Sequence, residues 1–352
     1  MRKIRAGVLG ATGTVGQQLV RYLQGHPWFE LTALAASGRS EGKTYAEACR
    51  WLLSADMPEG AAALRVESCE PGLDCEVLFS GLPSDVAGPV ELAFAQAGYA
   101  VSSNAAAHRM ASDVPLLIPE VNADHVALVE SQRLGRGWGK GCIVTNPNCS
   151  STQLALALKP LHDAFGLRRV SVTTLQALSG AGYPGVPSLE ALDNVIPFIG
   201  GEEEKLEAEP CKLLGQLDGD EVRPAPIAFS AQCHRVGVRD GHMEAVSVEF
   251  LRAGVTPGEV AAALEAFRGE VAGVGLPSAP ERPIRVRTEK DRPQPVLDRD
   301  EGRGMTVVVG RIRPCPVLGI KFELLGHNTV RGAAGAAIMN AELLVARGYL
   351  GN

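Results

Sequence analysis

The sequence predicts an α/β protein of two domains: a doubly wound parallel sheet, then an α+β unit on a mixed or antiparallel sheet. Three observations carry this prediction. Strand-like and helix-like segments alternate through the first part of the chain, a glycine-rich turn joins the first strand to the first helix, and after about residue 150 long β-rich runs take over.

The apolar run Ile4–Gly10 is the first strand, and a helix is expected over Val15–Gln24. LTALAAS, CEVLFSG and YAVSS follow as strands, with a helix over Val86–Ala97 between the last two, which is the βαβ rhythm of a sheet covered on both faces. A helix over Thr152–Phe165 opens the second unit. It leads into LRRVSVTTLQAL, and then into AVSVEFL, MTVVVGRIR and GIKFELLG, with a helix near Pro257–Arg268. Turn-linked runs of this kind predict a mainly antiparallel sheet. The Pro- and charge-rich stretch Pro277–Arg303 is expected to be a loop or extended arm, and Arg331–Ala346 the last helix.

Composition narrows the function classes. In 352 residues, 45% are hydrophobic, 21% are charged and the net charge is −6, which argues against disorder and against a nucleic-acid surface. No apolar run is long enough to span a bilayer, and the N-terminus enters a strand where a signal peptide would carry its apolar core. The eight cysteines are scattered with no C-x-x-C pair, so reduced thiols, a cytoplasmic location and no metal site are expected.

The turn Gly10-Ala-Thr12-Gly13-Thr14-Val15-Gly16 closes the first strand and opens the first helix. Dinucleotide binding needs a tight turn, close backbone approach to a pyrophosphate and free N–H groups at a helix start, so the first domain is expected to be Rossmann-type. After the second strand an NAD-selective site usually carries an acidic residue. Here the segment is Ser37-Gly-Arg39-Ser40-Glu-Gly-Lys43, whose two cations and two hydroxyls suit a 2′-phosphate and favour NADP.

TNPNCSST places Cys149 between capping residue types, Asn148 on one side and Ser150 and Ser151 on the other, just before an apolar-periodic helix. A sulfur at a helix start is expected to be stabilised as thiolate by the N–H groups and dipole, and the same N–H groups could serve as an oxyanion hole. A thiol nucleophile needs a base, and the segment from His234 to His242 offers two histidines that spacing does not separate.

With these stretches in place, the chain resembles the aspartate-semialdehyde dehydrogenases of the archaeal and fungal type. The resemblance runs through GATGTVG, SGRSEGK, SNAAAHRM, VPLLIPEVN, TNPNCSST, LQALSGAGYPG, NVIPFIGGEEEKLE, HRVGVRDGH, RPQPVLDRD and NTVRGAAGAA, in that order. It implies NADPH-dependent reduction of L-aspartyl 4-phosphate to L-aspartate 4-semialdehyde, on the route to lysine, threonine, methionine and isoleucine.

The resemblance also implies roles by position. Cys149 would form a thioester, His242 would be the acid/base group and Gln176 would orient the acyl group. Arg235 would bind the substrate carboxylate, Arg109 and Lys205 the phosphate, and Glu202 the amine side, with Asn148 also among the substrate-binding residues. His234 becomes structural. Ser80, Gly81, Leu82, Pro83, Ser179, Gly180 and Asn328 would neighbour the cofactor, and the Ser179–Gly185 loop could close over the site. The resemblance further implies an NADP domain over residues 1–149, completed by a C-terminal helix at about 329–352, and a catalytic and dimerisation domain over 150–328. A homodimer or a dimer of dimers is expected.

Three rivals remain at this point: malonyl-CoA reductase with the same thiol, N-acetyl-glutamyl-phosphate reductase, which HRVGVRDGH and IPFIGGEEEKLE fit less well, and an NADP-binding sensor without turnover.

Overall fold

The computed structural model describes residues 2–351. The first sheet comprises β1 (Ile4–Leu9), β2 (Phe29–Ala35), β3 (Val66–Glu67), β4 (Val77–Ser80), β5 (Ala100–Ser103) and β6 (Cys142–Thr145). Their order is β3-β2-β1-β4-β5-β6 and every pairing is parallel, the doubly wound arrangement of dinucleotide-binding folds. Both faces are buried. Val77 and Phe79 of β4 enter one core with Val8, Ile338 and Leu343, while Leu78 points the other way into a core with Leu9, Phe94 and Ile143.

The second sheet follows. It is built from β7 (Leu167–Gln176), then, after a small separate hairpin β8 (Gln216–Asp218) and β9 (Glu221–Arg223), from β10 (Ala228–Arg235), β11 (His242–Phe250), β12 (Ile284–Arg287), β13 (Val307–Cys315) and β14 (Gly319–Gly326). The order is β10-β7-β11-β14-β13-β12. The three central pairings are antiparallel and the two outer ones parallel, so the sheet is mixed where long runs alone suggested mainly antiparallel. The cause lies in the connections. β10 pairs parallel with β7 after a crossover that includes the helix Glu202–Leu213, and that helix packs on β10.

One face of this sheet is covered by helices Cys149–Phe165, Glu202–Leu213 and Pro257–Ala266, enclosing Leu154, Leu158, Val172, Val246, Leu264 and Phe322. On the opposite face Ser171, Leu175, Gln232 and Ala245 stay exposed.

Three expected elements change. The helix expected from Thr152 begins at Cys149, because the Asn148 side chain accepts hydrogen bonds from the Ser150 and Ser151 N–H groups. The stretch Pro277–Arg303 is no free arm. It contains β12, the short helix Pro295–Asp298 and a 3-10 turn, tied together by the buried Asp298 carboxylate, which accepts from Arg287 and Arg292. The last helix starts as a π turn at Val330–Ala334 before the α-helix Gly335–Ala346 returns to pack on β5 and β4 of the first sheet.

That π turn carries Arg331, which makes a bidentate pair with Glu120 at 2.7 Å on both arms, each side chain only 1% exposed. Removing one partner leaves a buried charge uncompensated. Arg331→Met is expected to lower folding stability by about 3–5 kcal/mol, read as a fall in the urea midpoint. An unchanged midpoint would mean the pair is dispensable.

Candidate active site

Side-chain alternation brings the distant site residues to one place. Gln176 ends β7, Arg235 ends β10 and the two are register partners, while His242 opens β11 one position before Met243, the partner of Leu175. All three therefore lie on the helix-covered face at the same end of the sheet. His234 is adjacent to Arg235 and so points to the opposite face, which separates the two histidines that spacing could not.

The covered end of the sheet meets the start of the Cys149 helix. Asn148 is its N-cap: Oδ1 accepts from Ser150 N at 2.9 Å and Ser151 N at 3.4 Å, and Nδ2 donates to both Glu202 carboxylate oxygens at 2.9 Å. Glu202 also accepts from Gln176 Nε2 at 3.1 Å and from Lys205 Nζ at 2.9 Å. Burial works to raise the Glu202 pKa, but Lys205 and the amide bonds outweigh it and hold it below the ordinary value. One carboxylate thus joins three other expected site residues, Asn148, Gln176 and Lys205, at the start of the Cys149 helix.

The backbone of a single residue orients two more. The carbonyl of Ala177, next after Gln176, accepts from Arg235 Nη1 at 2.8 Å, and its N–H donates to His242 Nδ1 at 3.0 Å. With Nδ1 accepting, the neutral ring carries its proton on Nε2. That Nε2 is buried and has no partner among the described residues. Burial and the Arg235 charge push the His242 pKa down to about 3, so the ring is neutral across the physiological range. The geometry makes it a hydrogen-bond donor from Nε2; accepting a proton there would require the other tautomer, whose Nδ1–H would face the Ala177 N–H.

The thiol differs from expectation. Burial first, and the Glu202 charge second, push Cys149 up to about 12, with Arg109, Arg235 and the Ser150 N–H pulling the other way. In this arrangement Cys149 is a thiol, because desolvation outweighs the helix start. The expected oxyanion hole also changes, since the Ser150 and Ser151 N–H groups are already bonded to Asn148. Gly332 of the π turn lies close against Cys149: a Cβ there would fall 2.5 Å from Cys149 Cβ.

Arg109 and Lys205 are each held by a carboxylate of the Glu202 helix. Arg109 Nη1 lies 2.9 Å from Glu209 and Lys205 Nζ 2.9 Å from Glu202. Glu209 escaped the sequence reading, as did the buried Lys212, Gln153 and Glu244. A signal existed for the first: Glu202, Leu206, Glu209 and Leu213 form the buried stripe of one helix, with carboxylates where apolar residues belong.

The expected cofactor residues divide into groups. Gly10 (φ +70°) and Gly16 are sterically required, since a Cβ would fall 2.8 Å from the Gly81 carbonyl oxygen and 2.2 Å from that of Gly10 respectively. The first helix, Thr14–Leu23, has Gly13 as N-cap and no side-chain cap, which leaves the N–H groups at Thr14, Val15 and Gly16 for a ligand, with Thr12 in the turn before them. Gly81 N donates to Leu9 O, bringing the Ser80–Pro83 segment, Leu82 included, against the glycine turn. Arg39 is exposed and makes no ion pair among the described residues, Lys43 Nζ donates to the Arg39 carbonyl, and Ser40 N donates to Ser37 O. A cavity of about 550 Å³ runs from Thr14 and Leu53 past Ser179 and Tyr183 to His327 and Thr329.

Asn328 bridges this cavity to the catalytic end: Nδ2 donates to Ser179 Oγ at 2.8 Å and Oδ1 accepts from Gly241 N at 2.9 Å. Gly180 lies directly over Arg235 and His242, for a Cβ there would sit 2.8 Å from Arg235 Nη1 and 3.0 Å from His242 Nε2. These contacts fit a dinucleotide entering at the glycine turn, with its far end toward Cys149.

Residues 5–129 match the family described as Semialdehyde dehydrogenase, NAD binding domain, and residues 158–331 match Semialdehyde dehydrogenase, dimerisation domain. The aspartate-semialdehyde dehydrogenase of Archaeoglobus fulgidus is 56% identical over 340 residues, covering 96% of this chain and 97% of that protein. That of Saccharomyces cerevisiae is 44% identical, with 98% of each chain covered. A crystal structure of aspartate semialdehyde dehydrogenase with NADP from Candida albicans superposes with a TM-score of 0.92 at 43% identity, over 99% of this chain and 100% of that one.

Two outcomes follow from the charges around the nucleophile. Glu202→Gln removes the negative charge nearest the thiol, so alkylation of Cys149 by iodoacetamide should accelerate at pH 8 and its pH profile should move down; a profile that stays put or moves up would contradict this. Glu244, buried beneath His242 and bonded to Gln153 at 2.6 Å, is pushed by burial from the usual 4.5 up to about 8. Between those values the native chain holds a proton that the unfolded chain has released, so the contribution is complete below about 4.5 and is lost as pH rises through about 8. Thermal denaturation should show Tm falling from pH 6 to pH 9 in the wild type and falling less in Glu244→Gln.

Proposed function

The chain belongs to the aspartate-semialdehyde dehydrogenase family, and from that premise we propose that it reduces L-aspartyl 4-phosphate to L-aspartate 4-semialdehyde with NADPH, through a thioester on Cys149. The observation that carries this is the meeting of Gln176, Arg235 and His242, from three strand ends, with the buried start of the Cys149 helix.

In the proposed sequence Cys149 Sγ attacks the acyl carbon, the C–O bond to phosphate breaks, and the proton of the thiol ends on the departing phosphate. Arg235 pairs with the substrate carboxylate and Gln176 orients the acyl oxygen beside the sulfur. The glycine turn Gly10–Gly16 would hold NADPH, with Arg39 and Lys43 available to its 2′-phosphate, and the bound cofactor would supply the hydride for the thioester carbonyl. His242 Nε2–H, the unpartnered donor, stabilises the oxygen that carries negative charge before and after that reduction. Cys149 then leaves as thiolate, the carbonyl re-forms, the aldehyde departs, and the thiolate takes a proton from solvent to restore the resting thiol. Arg109 and Lys205 receive the phosphate, and Glu202 with Asn148 faces the amine side.

Oxidation of aspartate semialdehyde should require both NADP and phosphate or arsenate, and Cys149→Ala should abolish it, followed as NADPH absorbance. No turnover of the semialdehyde together with turnover of malonyl-CoA would replace this reading with acyl-CoA reduction.

We further propose a homodimer through the uncovered face of the second sheet. There Leu175 is 38% exposed, and the nearby segment carries Leu189, Leu192, Val195 and Phe198 exposed by 53–90%. Leu175→Asp should shift the mass measured by light scattering toward the monomer; an unchanged mass would remove this face from the interface.

A further inference from the structure

Glu209 stands where two halves of the site meet. It is 2% exposed on the buried stripe of the Glu202 helix. Oε1 accepts from Arg109 Nη1 at 2.9 Å, and Oε2 accepts from the main-chain N–H of Asn148 at 2.6 Å. Arg109 Nη2 donates to the Asn104 carbonyl at 2.7 Å, while its Nε is buried without a partner among the described residues. One turn along the same helix, Lys212 donates to the carbonyls of Arg109, Ala111 and Val114, which fastens the loop from which Arg109 projects. Cation, loop and helix cap are thus all tied to one side of one helix, and Nε is the one nitrogen of the Arg109 guanidinium without a partner among the described residues.

We propose that Glu209 is a positioning residue, which holds the Arg109 guanidinium in fixed relation to the Cys149 helix start so that its free Nε–H meets the departing or attacking phosphate. This rests on the reading of Arg109 as a phosphate-binding cation. The carboxylate is suited to the task because both of its partners are donors. A glutamine in its place keeps the volume but turns an NH₂ group toward one of them.

The test uses the full chain oxidising aspartate semialdehyde, with KM measured separately for phosphate and for the semialdehyde. Glu209→Gln should raise the phosphate KM about 10-fold or more, the scale of a misplaced binding group, and leave the semialdehyde KM near wild type. In an Arg109→Ala background the same change should add little, because the two side chains act as one unit. Equal shifts in both KM values, or effects that multiply in the double variant, would overturn the proposal.

Alkylation of Cys149 by iodoacetamide needs no substrate and keeps the two readings apart. Glu209→Gln should slow it, since the Arg109 charge is no longer held near the sulfur; an unchanged rate overturns the positioning role even if semialdehyde turns over normally. Slowed alkylation in a chain whose wild type does not use phosphate would support the positioning role and sink only the phosphate reading. If the glutamine variant does not fold, Glu209→Asp retains the charge with a shorter reach and should show a smaller rise confined to the phosphate KM. A rise in both KM values, or in neither, would overturn the proposal.

Discussion

Everything in the site hangs on one helix start buried between two sheets. A helix N-terminus exposes N–H groups that must find partners when water is excluded. Asn148 meets that demand from both ends: its side-chain oxygen takes two N–H groups of the first turn, its amide donates to Glu202 and its own N–H donates to Glu209. Because Glu202 and Glu209 sit seven residues apart on one helix, fixing the cap also fixes that helix, and with it Lys205, Arg109 and Gln176. Cys149 is positioned by polar satisfaction more than by apolar packing.

The same burial keeps the chemistry quiet until a ligand arrives. Desolvation and the Glu202 charge hold Cys149 as a thiol, and the Ala177 peptide holds His242 in the tautomer that donates from Nε2. Buried charges of this density are costly to a fold unless each is paired, and nearly all are. Among the described residues the buried polar atoms without a partner include two donors of this site, Arg109 Nε and His242 Nε2, alongside others such as Arg331 Nε and Glu244 Oε2.

Legibility followed the range of the interaction. The glycine turn could be recognised because its requirements are local, a strand, a tight turn and a helix start within a few residues; Gly10 and Gly16 prove to have no room for a Cβ. Asn148 as a cap was legible for the same reason. Glu209 and Lys212 were not legible as partners, since nothing near them in sequence reveals that their helix lies against the Arg109 loop and the Asn148 N–H. The thiolate expectation failed similarly: a helix start is visible in the sequence, but the depth at which it is buried is not.

By itself, then, the sequence determined the two sheets, the dinucleotide turn and the capped helix start beside Cys149, because each follows from periodicity, capping or motif order within short reach. Only the tertiary structure decided which of His234 and His242 lies on the helix-covered face, the protonation of the thiol and the ring, and the contacts of Glu209 with Arg109 and Asn148. Those depend on register between strands and on the exclusion of water, and both arise only when segments distant along the chain are packed together.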